Sequence, residues 1–311
     1  MSEPEYTGTA TDFYVAPADV ADKVNLAVAL NRPVLVEGEP GCGKTMLAYS
    51  VAAEKGLGRP VKVAVKSTSR AQDLLYRVNA LRRLQDAQNL KNESAQFIYP
   101  YLSLGPLGRA IHEGRRAVVL IDEVDKADID FPNDLLDVLD DFSFQLEDLP
   151  EEEEERCLTE KGFGRTVSVT AGGARPIVFI TSNREKRLPE PFLRRCIYIR
   201  LRFPDSADEL TDIILKNNIG ETAVDINRGL LDAAVAAFRR VRGAAVGTAQ
   251  KPPTTSELID WVKILHWRAA DPESLKGETL LPPYWELLFK NMADLDAHRT
   301  LAEARQKQPT S

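Results

Sequence analysis

The chain has 311 residues, 43% hydrophobic and 28% charged, with a net charge of −7. This is typical of a soluble globular protein with one large or two modest domains, and it argues against non-specific attraction of nucleic acid to the whole surface. No apolar run approaches the roughly 20 residues that a membrane span needs, and the polar, acidic start is no signal peptide. Because the cysteines form no CxxC or Cys/His spacing, we expect a reducing, cytoplasmic location without a cysteine metal centre. The cysteines are Cys42, Cys157 and Cys196.

The charge is distributed unevenly along the chain. Residues 122–155 contain sixteen acidic residues and one base, whereas residues 175–202 contain eight bases and two acids. Such asymmetry indicates either surfaces that meet an opposite charge or two solvated faces of one domain. Both interpretations stay open at this point.

The first two thirds of the chain alternate short apolar runs with segments of helical periodicity. Continuously apolar runs predict strands buried on both faces, and therefore a parallel sheet sandwiched by helices in an α/β domain over 32–204. The strand candidates are 32–38, 61–66, 117–121, 176–181 and 196–201, and the helix candidates are 43–55, 70–86, 104–114 and 131–142. Residues 1–31 are predicted to form an N-terminal linker and a first helix.

The pattern changes near Pro204, after which no strong strand signal follows. Four helical segments predict a small all-helical domain over 205–311, and Thr254 with Glu257 makes a capping box at the start of the third. Trp261, Trp267 and Trp285 lie at helical spacing with leucine and isoleucine, which predicts packing in the core of this domain.

A glycine-rich segment follows the first predicted strand. "GEPGCGKT" (38–45) has the spacing G-x-x-x-x-G-K-T between a strand and a helix, which is the context that a phosphate-binding P-loop requires. Its backbone N–H groups and the helix N-terminus favour polyphosphate anions. Lys44 is expected to reach the β- and γ-phosphates of ATP, and the Thr45 hydroxyl to bind Mg²⁺. The predicted nucleotide-binding residues are Gly38, Glu39, Pro40, Gly41, Cys42, Gly43, Lys44, Thr45 and Met46.

Two carboxylates follow the third predicted strand, in "AVVLIDEVDKA" (117–127). Asp122 at the strand end is suited to hold the Mg²⁺ shell, because magnesium keeps several waters and takes only one or two carboxylates. Glu123 is suited to activate the attacking water, so the pair favours hydrolysis over transfer to a small molecule. Asp125 and Lys126 are expected to be solvated residues at a helix start.

The P-loop, "IDEVDKA" and "PIVFITSN", in this order, resemble the AAA+ ATPases over about residues 10–270, and most of all the MoxR-like group, relatives of the chelatase and McrB-type ATPases. The resemblance implies that the helical domain is a lid and that Asn183 is the sensor 1 residue, which polarises the attacking water. It also implies that an extra hairpin is inserted within 70–104.

"LPEPFLRRC" (188–196) resembles the arginine-finger segment of that group. Arg195 stands in the place of the finger, with Arg194 as the alternative, and such a residue completes the neighbouring subunit's site. The planar guanidinium suits this role because it meets phosphate oxygens bidentately. The sequence departs from the family pattern at Cys196, where a phenylalanine is usual, and at Ser256, where a sensor 2 arginine is usual.

Two further segments each have two interpretations. Phe97, Tyr99 and Tyr101 alternate beside a polar loop and are expected either to pack in the insert or to face a pore or partner. The "EEEEE" run (151–155) is expected to be a mobile, solvated loop, or alternatively an acidic channel lining.

The sequence therefore predicts a Mg²⁺-dependent ATPase that forms a homo-oligomer, a hexameric ring, and remodels or activates a protein client in the manner of a chaperone. The resemblance implies a partner with a von Willebrand A domain. One alternative is a nucleic-acid-stimulated motor or the NTPase subunit of a defence complex, which the sequence pI of about 5.3 disfavours. The other alternative is a nucleotide-gated scaffold with little turnover. Insertion into a membrane is not expected.

Overall fold

The structure, a computed structural model, describes residues 4–11, 13–88, 93–170, 172–217, 226–277 and 279–306. Residues 89–92 of the predicted insert and 218–225, 278 and 307–311 of the predicted helical domain lie outside this part. The chain divides into two compact units. The first comprises Met1–Thr11, Val15–Gly38 and Gly43–Leu201, and the second comprises Asp12–Tyr14, Glu39–Cys42 and Arg202–Ser311.

The first unit is built on a parallel sheet. The described strands are β1 (Val34–Glu37), β2 (Val61–Ala64), β3 (Tyr76–Val78), β4 (Leu102–Leu104), β5 (Val118–Asp122), β6 (Ser143–Gln145), β7 (Thr166–Ser168), β8 (Ile177–Ser182) and β9 (Ile197–Arg200). Five of them form one sheet in the order β2-β5-β8-β1-β9, with every neighbouring pair parallel. All five predicted strands of the α/β fold are confirmed.

Helices surround this sheet. The helices of the first unit are α1 (Ala18–Leu30), α2 (Lys44–Glu54), α3 (Gln72–Leu75), α4 (Ala80–Gln88), α5 (Pro106–Glu113), α6 (Asp130–Asp134), α7 (Leu136–Asp141), α8 (Glu154–Lys161) and α9 (Glu190–Arg195), with 3-10 turns at Glu93–Gln96, Tyr99–Tyr101, Val124–Lys126 and Glu151–Glu153. Every residue of β5 and β8 is buried, because these strands are central and covered on both faces.

The predicted helix over 70–86 is wrong in its middle part. Strand β3 interrupts it at Tyr76–Val78 and pairs with β4 in an antiparallel ladder. The buried Tyr76 ring stacks 6.4 Å from the ring of Phe144, so a distant contact overrides the local helical pattern. The predicted helix over 131–142 is also divided, into α6 and α7 at Leu135.

The acidic run is helical and not a loop, which corrects that part of the prediction, whereas Glu151, Glu152 and Glu155 are exposed to solvent as expected. Residues 151–161 form a 3-10 turn that continues into α8, and the Glu153 side chain is buried. Its carboxylate accepts hydrogen bonds from the backbone N–H groups of Ile98 and Tyr99 at 2.7 and 2.9 Å. Tyr99 also donates from its hydroxyl to Glu160 at 2.8 Å. Glu153 and Glu160 therefore anchor the segment that leads into β4.

The second unit is helical in its described part. Its helices are α10 (Ala207–Asn217), α11 (Arg228–Ala245), α12 (Thr255–Trp267) and α13 (Met292–Gln306), with 3-10 turns at Pro272–Leu275 and Trp285–Leu288. Trp261 and Trp285 are buried in its core, but Trp267 is 70% exposed, so the prediction for Trp267 is wrong. The predicted capping box of Thr254 and Glu257 is present at the start of α12. None of the helices in the described part of the chain combines the length and apolar character that a bilayer crossing requires.

Candidate active site

The glycine-rich segment forms the turn between β1 and α2. Gly41 and Gly43 have φ angles of +78° and +93°, a left-handed conformation that residues with a side chain rarely adopt. Helix α2 begins at Lys44, so its first N–H groups point toward the turn. The Lys44 side chain is buried, and its ammonium donates to the carbonyl oxygen of Gly38 at 2.8 Å. A buried cation folded over a turn of N–H groups forms an anion-binding cradle.

Asp122 lies at the carboxyl end of β5 and is held by three side chains. Its Oδ1 accepts hydrogen bonds from the hydroxyls of Thr181 (2.6 Å) and Thr45 (3.2 Å), and its Oδ2 lies 2.6 Å from the ammonium of Lys62. Burial opposes ionisation, but the hydrogen bonds from Lys62, Thr181 and Thr45 outweigh it and lower the pKa of Asp122 below its usual value. The group is therefore a carboxylate at neutral pH.

Glu123 continues from the strand in a left-handed conformation, with φ of +61°. The backbone N–H of Glu123 donates to the Thr181 hydroxyl at 2.9 Å, which fixes this unusual turn. Its carboxylate accepts from the Asn183 amide at 3.2 Å through one oxygen and from the Lys126 ammonium at 2.5 Å through the other. Contact with Glu123 raises the pKa of Lys126, which is consistent with an ion pair. The turn thus presents the Glu123 carboxylate to the Asn183 amide.

The strand order explains why these residues meet. Strand β8, which ends one residue before Asn183, lies between β1 with the P-loop and β5 with the acidic pair. Because the carboxyl ends of parallel strands share one edge of a sheet, three separate segments converge there. Thr45, Asp122, Glu123 and Asn183 are thereby connected by direct hydrogen bonds or by the shared partner Thr181.

The prediction that Asp125 is solvated is wrong, because this residue is only 2% exposed. It belongs to the site. One carboxylate oxygen, Oδ2, accepts the backbone N–H groups of Asn183 (3.0 Å) and Glu185 (2.8 Å). The other, Oδ1, is buried and has no hydrogen-bond partner within the described part of the chain. Lys186 donates to the carbonyl oxygens of Lys126 and Ala127. These contacts join the segments after β5 and β8, and no local sequence signal indicates them.

The two candidate finger arginines lie at the end of α9. They pair with acidic side chains outside the cluster formed by Thr45, Asp122, Glu123 and Asn183. Arg195 contacts Asp140 on α7 and donates to the Pro191 carbonyl at 3.4 Å, and its side chain is 34% exposed. Arg194 is 80% exposed and lies 3.4 Å from Glu190. Cys196 is buried in the core beside them, and burial raises the pKa of its thiol to about 12. The usual phenylalanine position is therefore still a packing position.

The donor set fits a magnesium–nucleotide complex. The Thr45 hydroxyl and the Asp122 carboxylate are neighbouring hard oxygen donors, which magnesium prefers, and the N-terminus of α2 with the buried Lys44 beside it is suited to phosphate oxygens. The second oxygen of Asp122 lies 2.6 Å from the ammonium of Lys62, and the Thr45 hydroxyl and the Asp122 carboxylate are the residues that would hold the ion.

A phosphate-binding turn after β1, an acidic pair after β5 and a polar amide after the strand between them define a P-loop NTPase with the AAA+ arrangement. Residues 33–196 match the family described as AAA domain (dynein-related subfamily), which is just over half of the chain. The chain belongs to this family. It is also 29% identical to "Protein NorQ" of Paracoccus denitrificans (strain Pd 1222) over 219 residues, which cover 70% of the chain and 68% of NorQ. The predicted membership of the MoxR-like AAA+ ATPases is confirmed.

A solved structure shows a similar fold. The structure of NtrX from Brucella abortus in complex with ADP has a TM-score of 0.50 and 16% identity, covering 94% of this chain and 60% of that one. A mutant of RuvB from Thermotoga maritima has a TM-score of 0.44 and 16% identity, covering 94% of this chain and 79% of that one, a likeness too weak to support an argument.

Proposed function

We propose that this protein is a Mg²⁺-dependent ATPase that hydrolyses ATP to ADP and phosphate, works as a ring of identical subunits, and remodels or activates a partner protein. The observation that carries the hydrolytic part is the hydrogen-bonded pair of Glu123 and Asn183 beside Asp122 and Thr45. A carboxylate oriented by an amide at the end of a P-loop sheet is suited to activate water.

Each residue of the cluster has a distinct proposed role. Lys44 exchanges the Gly38 carbonyl for phosphate oxygens, and Thr45 and Asp122 hold the magnesium ion. When bound, magnesium neutralises charge on the phosphates and supports the displacement. Glu123 accepts the proton of the attacking water, and Asn183 fixes the carboxylate and polarises that water.

The oligomeric part of the proposal rests on the arginine pair. Arg194 and Arg195 bind exposed or half-exposed acids rather than the cluster around Glu123, so they are available to a neighbouring subunit's nucleotide. The basic segment 175–202 and the acidic segment 122–155 are also of opposite sign, which favours contact between copies. The hexamer and the von Willebrand A partner rest on the family resemblance.

The decisive experiment compares Glu123→Gln with Lys44→Ala. We expect Glu123→Gln to bind ATP as the unchanged protein does but to hydrolyse it at least about 100-fold more slowly, since general acid–base groups contribute about 10²–10⁴-fold. Lys44→Ala is expected to lose ATP binding. Titration calorimetry and phosphate release at saturating ATP and Mg²⁺ measure the two effects.

The same experiment tests the alternatives. An unchanged turnover in Glu123→Gln removes Glu123 from the proposed role. Undetectable turnover in the unchanged protein at all protein concentrations indicates a nucleotide-gated scaffold. Stimulation by DNA or RNA that falls steeply with salt indicates a nucleic-acid motor. Capture of a client by the ATP-loaded Glu123→Gln variant, and not by Lys44→Ala, supports the remodelling function.

A further inference from the structure

Arg242 is a buried arginine on α11 of the second unit, and 7% of the residue is exposed. Its guanidinium carbon lies 3.3 Å from the centroid of the Phe203 ring, which places the cation on the aromatic face. Arginine is almost never fully buried unless it is paired, because removing a cation from water is costly. The partners of Arg242 therefore indicate which segments of the chain it holds in place.

Those partners are two segments of the same unit. One guanidinium nitrogen donates to the carbonyl oxygen of Pro253, just before α12, and the other lies 2.7 Å from the carboxylate of Glu39. Glu39 is the first residue after Gly38 in the P-loop and is 63% exposed at its side chain. The planar fork of arginine thus joins the phosphate-binding turn to the segment that starts a helix.

The start of α12 contacts the same turn a second time. The Thr255 hydroxyl donates to the carbonyl oxygen of Gly41 at 2.8 Å. A Cβ atom on Gly41 would lie 2.5 Å from the Cβ of Thr254, so the turn and the helix start are closely packed. Residues 39–42 are consequently fixed at two points, one charged and one neutral.

We propose that Arg242 is a positioning residue for nucleotide binding, acting through Glu39 on the conformation of residues 39–42. Ser256 in the first turn of α12 is an exposed serine and supplies no cation, whereas Arg242 on the preceding helix reaches the P-loop through a carboxylate. Preorganising the loop removes part of the entropy cost of ordering its N–H groups around the phosphates. The contribution is therefore to nucleotide affinity and not to the chemical step.

This inference rests on the proposed function, and a double-mutant cycle tests it. The variants are Arg242→Gln, Glu39→Gln and the pair together, and the probes are ADP and ATP with Mg²⁺ in titration calorimetry. We expect Arg242→Gln to raise Kd about tenfold, and the double variant to raise it no further, since contacting residues couple non-additively. The kcat at saturating ATP is expected to stay within about twofold, because uniform binding affects KM and not kcat.

Two variants on the same helix control for other effects. Arg242→Lys keeps the charge and is expected to restore part of the affinity, although it lacks the planar fork. Arg239→Gln removes an exposed arginine three residues earlier and is expected to leave Kd unchanged. Thermal melting of each nucleotide-free variant shows whether it folds. If Arg242→Gln does not fold, the comparison of Glu39→Gln with Arg242→Lys decides, since either one raises Kd if the contact positions the loop.

The inference is overturned if both Arg242→Gln and Glu39→Gln fold and bind with unchanged Kd, if their effects on Kd are additive, or if kcat falls while Kd does not. Failure of the proposed function gives a different result. In that case the unchanged protein does not bind the nucleotide, or Lys44→Ala binds it equally well.

Discussion

The cluster around Glu123 and the arginine pair on α9 belong to the same unit but differ in how they are held. Glu123, Asp122 and Asn183 are fixed by hydrogen bonds among segments that follow three strands of one sheet. Arg194 and Arg195 contact acids on or near the surface, Glu190 and Asp140, and Arg195 also donates to the carbonyl oxygen of Pro191. One region is organised by the fold itself, and the other is a pair of cations with exchangeable partners.

This difference has a physical consequence for catalysis. Under the proposed function, Glu123 activates water, and a group with that role must be held within a few tenths of an ångström, as the dense network around it would do. A cation that engages the phosphates of another subunit must instead be free to exchange its partner, and exposed ion pairs contribute only about 0–1 kcal/mol. The contrast predicts that mutations in the two regions act on different quantities.

The largest expected effect comes from the arginine pair. Arg195→Ala is expected to lower turnover at saturating ATP about 10³-fold while leaving ATP affinity unchanged, because arginine fingers contribute about 10³–10⁵-fold. Measuring phosphate release from Arg195→Ala mixed with Lys44→Ala separates action within a subunit from action between subunits. Partial recovery of turnover is expected in the mixture, since a Lys44→Ala subunit donates an intact finger to a neighbour with an intact P-loop.

Matched variants sharpen this comparison. Arg187 is 87% exposed and lies near Glu190, as Arg194 does, so Arg187→Ala controls for the loss of surface charge. A larger loss in Arg194→Ala than in Arg195→Ala transfers the role to Arg194. Normal turnover in both variants contradicts a finger on α9.

A smaller effect is expected from Asp125, which holds the segment carrying Asn183 and has no part in the proposed chemistry. Asp125→Ala removes the acceptor for the N–H groups of Asn183 and Glu185, so the segment carrying Asn183 shifts. Misplacement by about 1 Å can lower a rate about 10²-fold, and a loss of this size in kcat is expected with little change in ATP affinity. The melting temperature is also expected to fall, because buried donors lose their acceptor.

Asp128→Ala is the matched control for Asp125→Ala, because Asp128 is exposed and lies three residues later in the same segment. Asp125→Asn keeps one acceptor oxygen, and its kcat is expected to lie between those of Asp125→Ala and Asp128→Ala. Equal kcat in Asp125→Ala and Asp128→Ala contradicts the supporting role and leaves Asp125 with an effect on stability alone.

The parts of the molecule that the sequence predicted are those with a local cause. Continuous apolar runs predicted the strands β1, β5 and β8, because a strand buried on both faces can have no polar face. The spacing of Gly38, Gly43 and Lys44 predicted the glycine turn between β1 and α2, because both its conformation and its charge are local properties.

The parts that it missed depend on distant partners. Glu153 is buried because it meets backbone N–H groups 54 and 55 residues away, and nothing in a run of five glutamates distinguishes it from the others. Asp125 is buried because it meets the segment after β8, about 60 residues on. Arg242 contacts Glu39 across 203 residues. Periodicity cannot indicate such pairs, because it reports only the direction in which a side chain points from its own element.

The smallest expected effect is at Lys126, where the contrast between the two regions is weakest. Lys126 is 41% exposed and binds the Glu123 carboxylate through an i, i+3 ion pair, so this one member of the cluster is held as the α9 arginines are. Lys126→Met keeps the length of the side chain and releases the carboxylate from the ammonium. Because the ion pair competes with the attacking water for Glu123, kcat is expected to rise about two- to fivefold, the range that corresponds to an exposed pair of up to about 1 kcal/mol.

Lys23→Met, which removes an exposed ion pair with Asp19 on α1, is expected to leave kcat unchanged. A tenfold or greater loss of kcat in Lys126→Met shows instead that Lys126 orients Glu123, and that the cluster is organised by the fold at every one of its contacts.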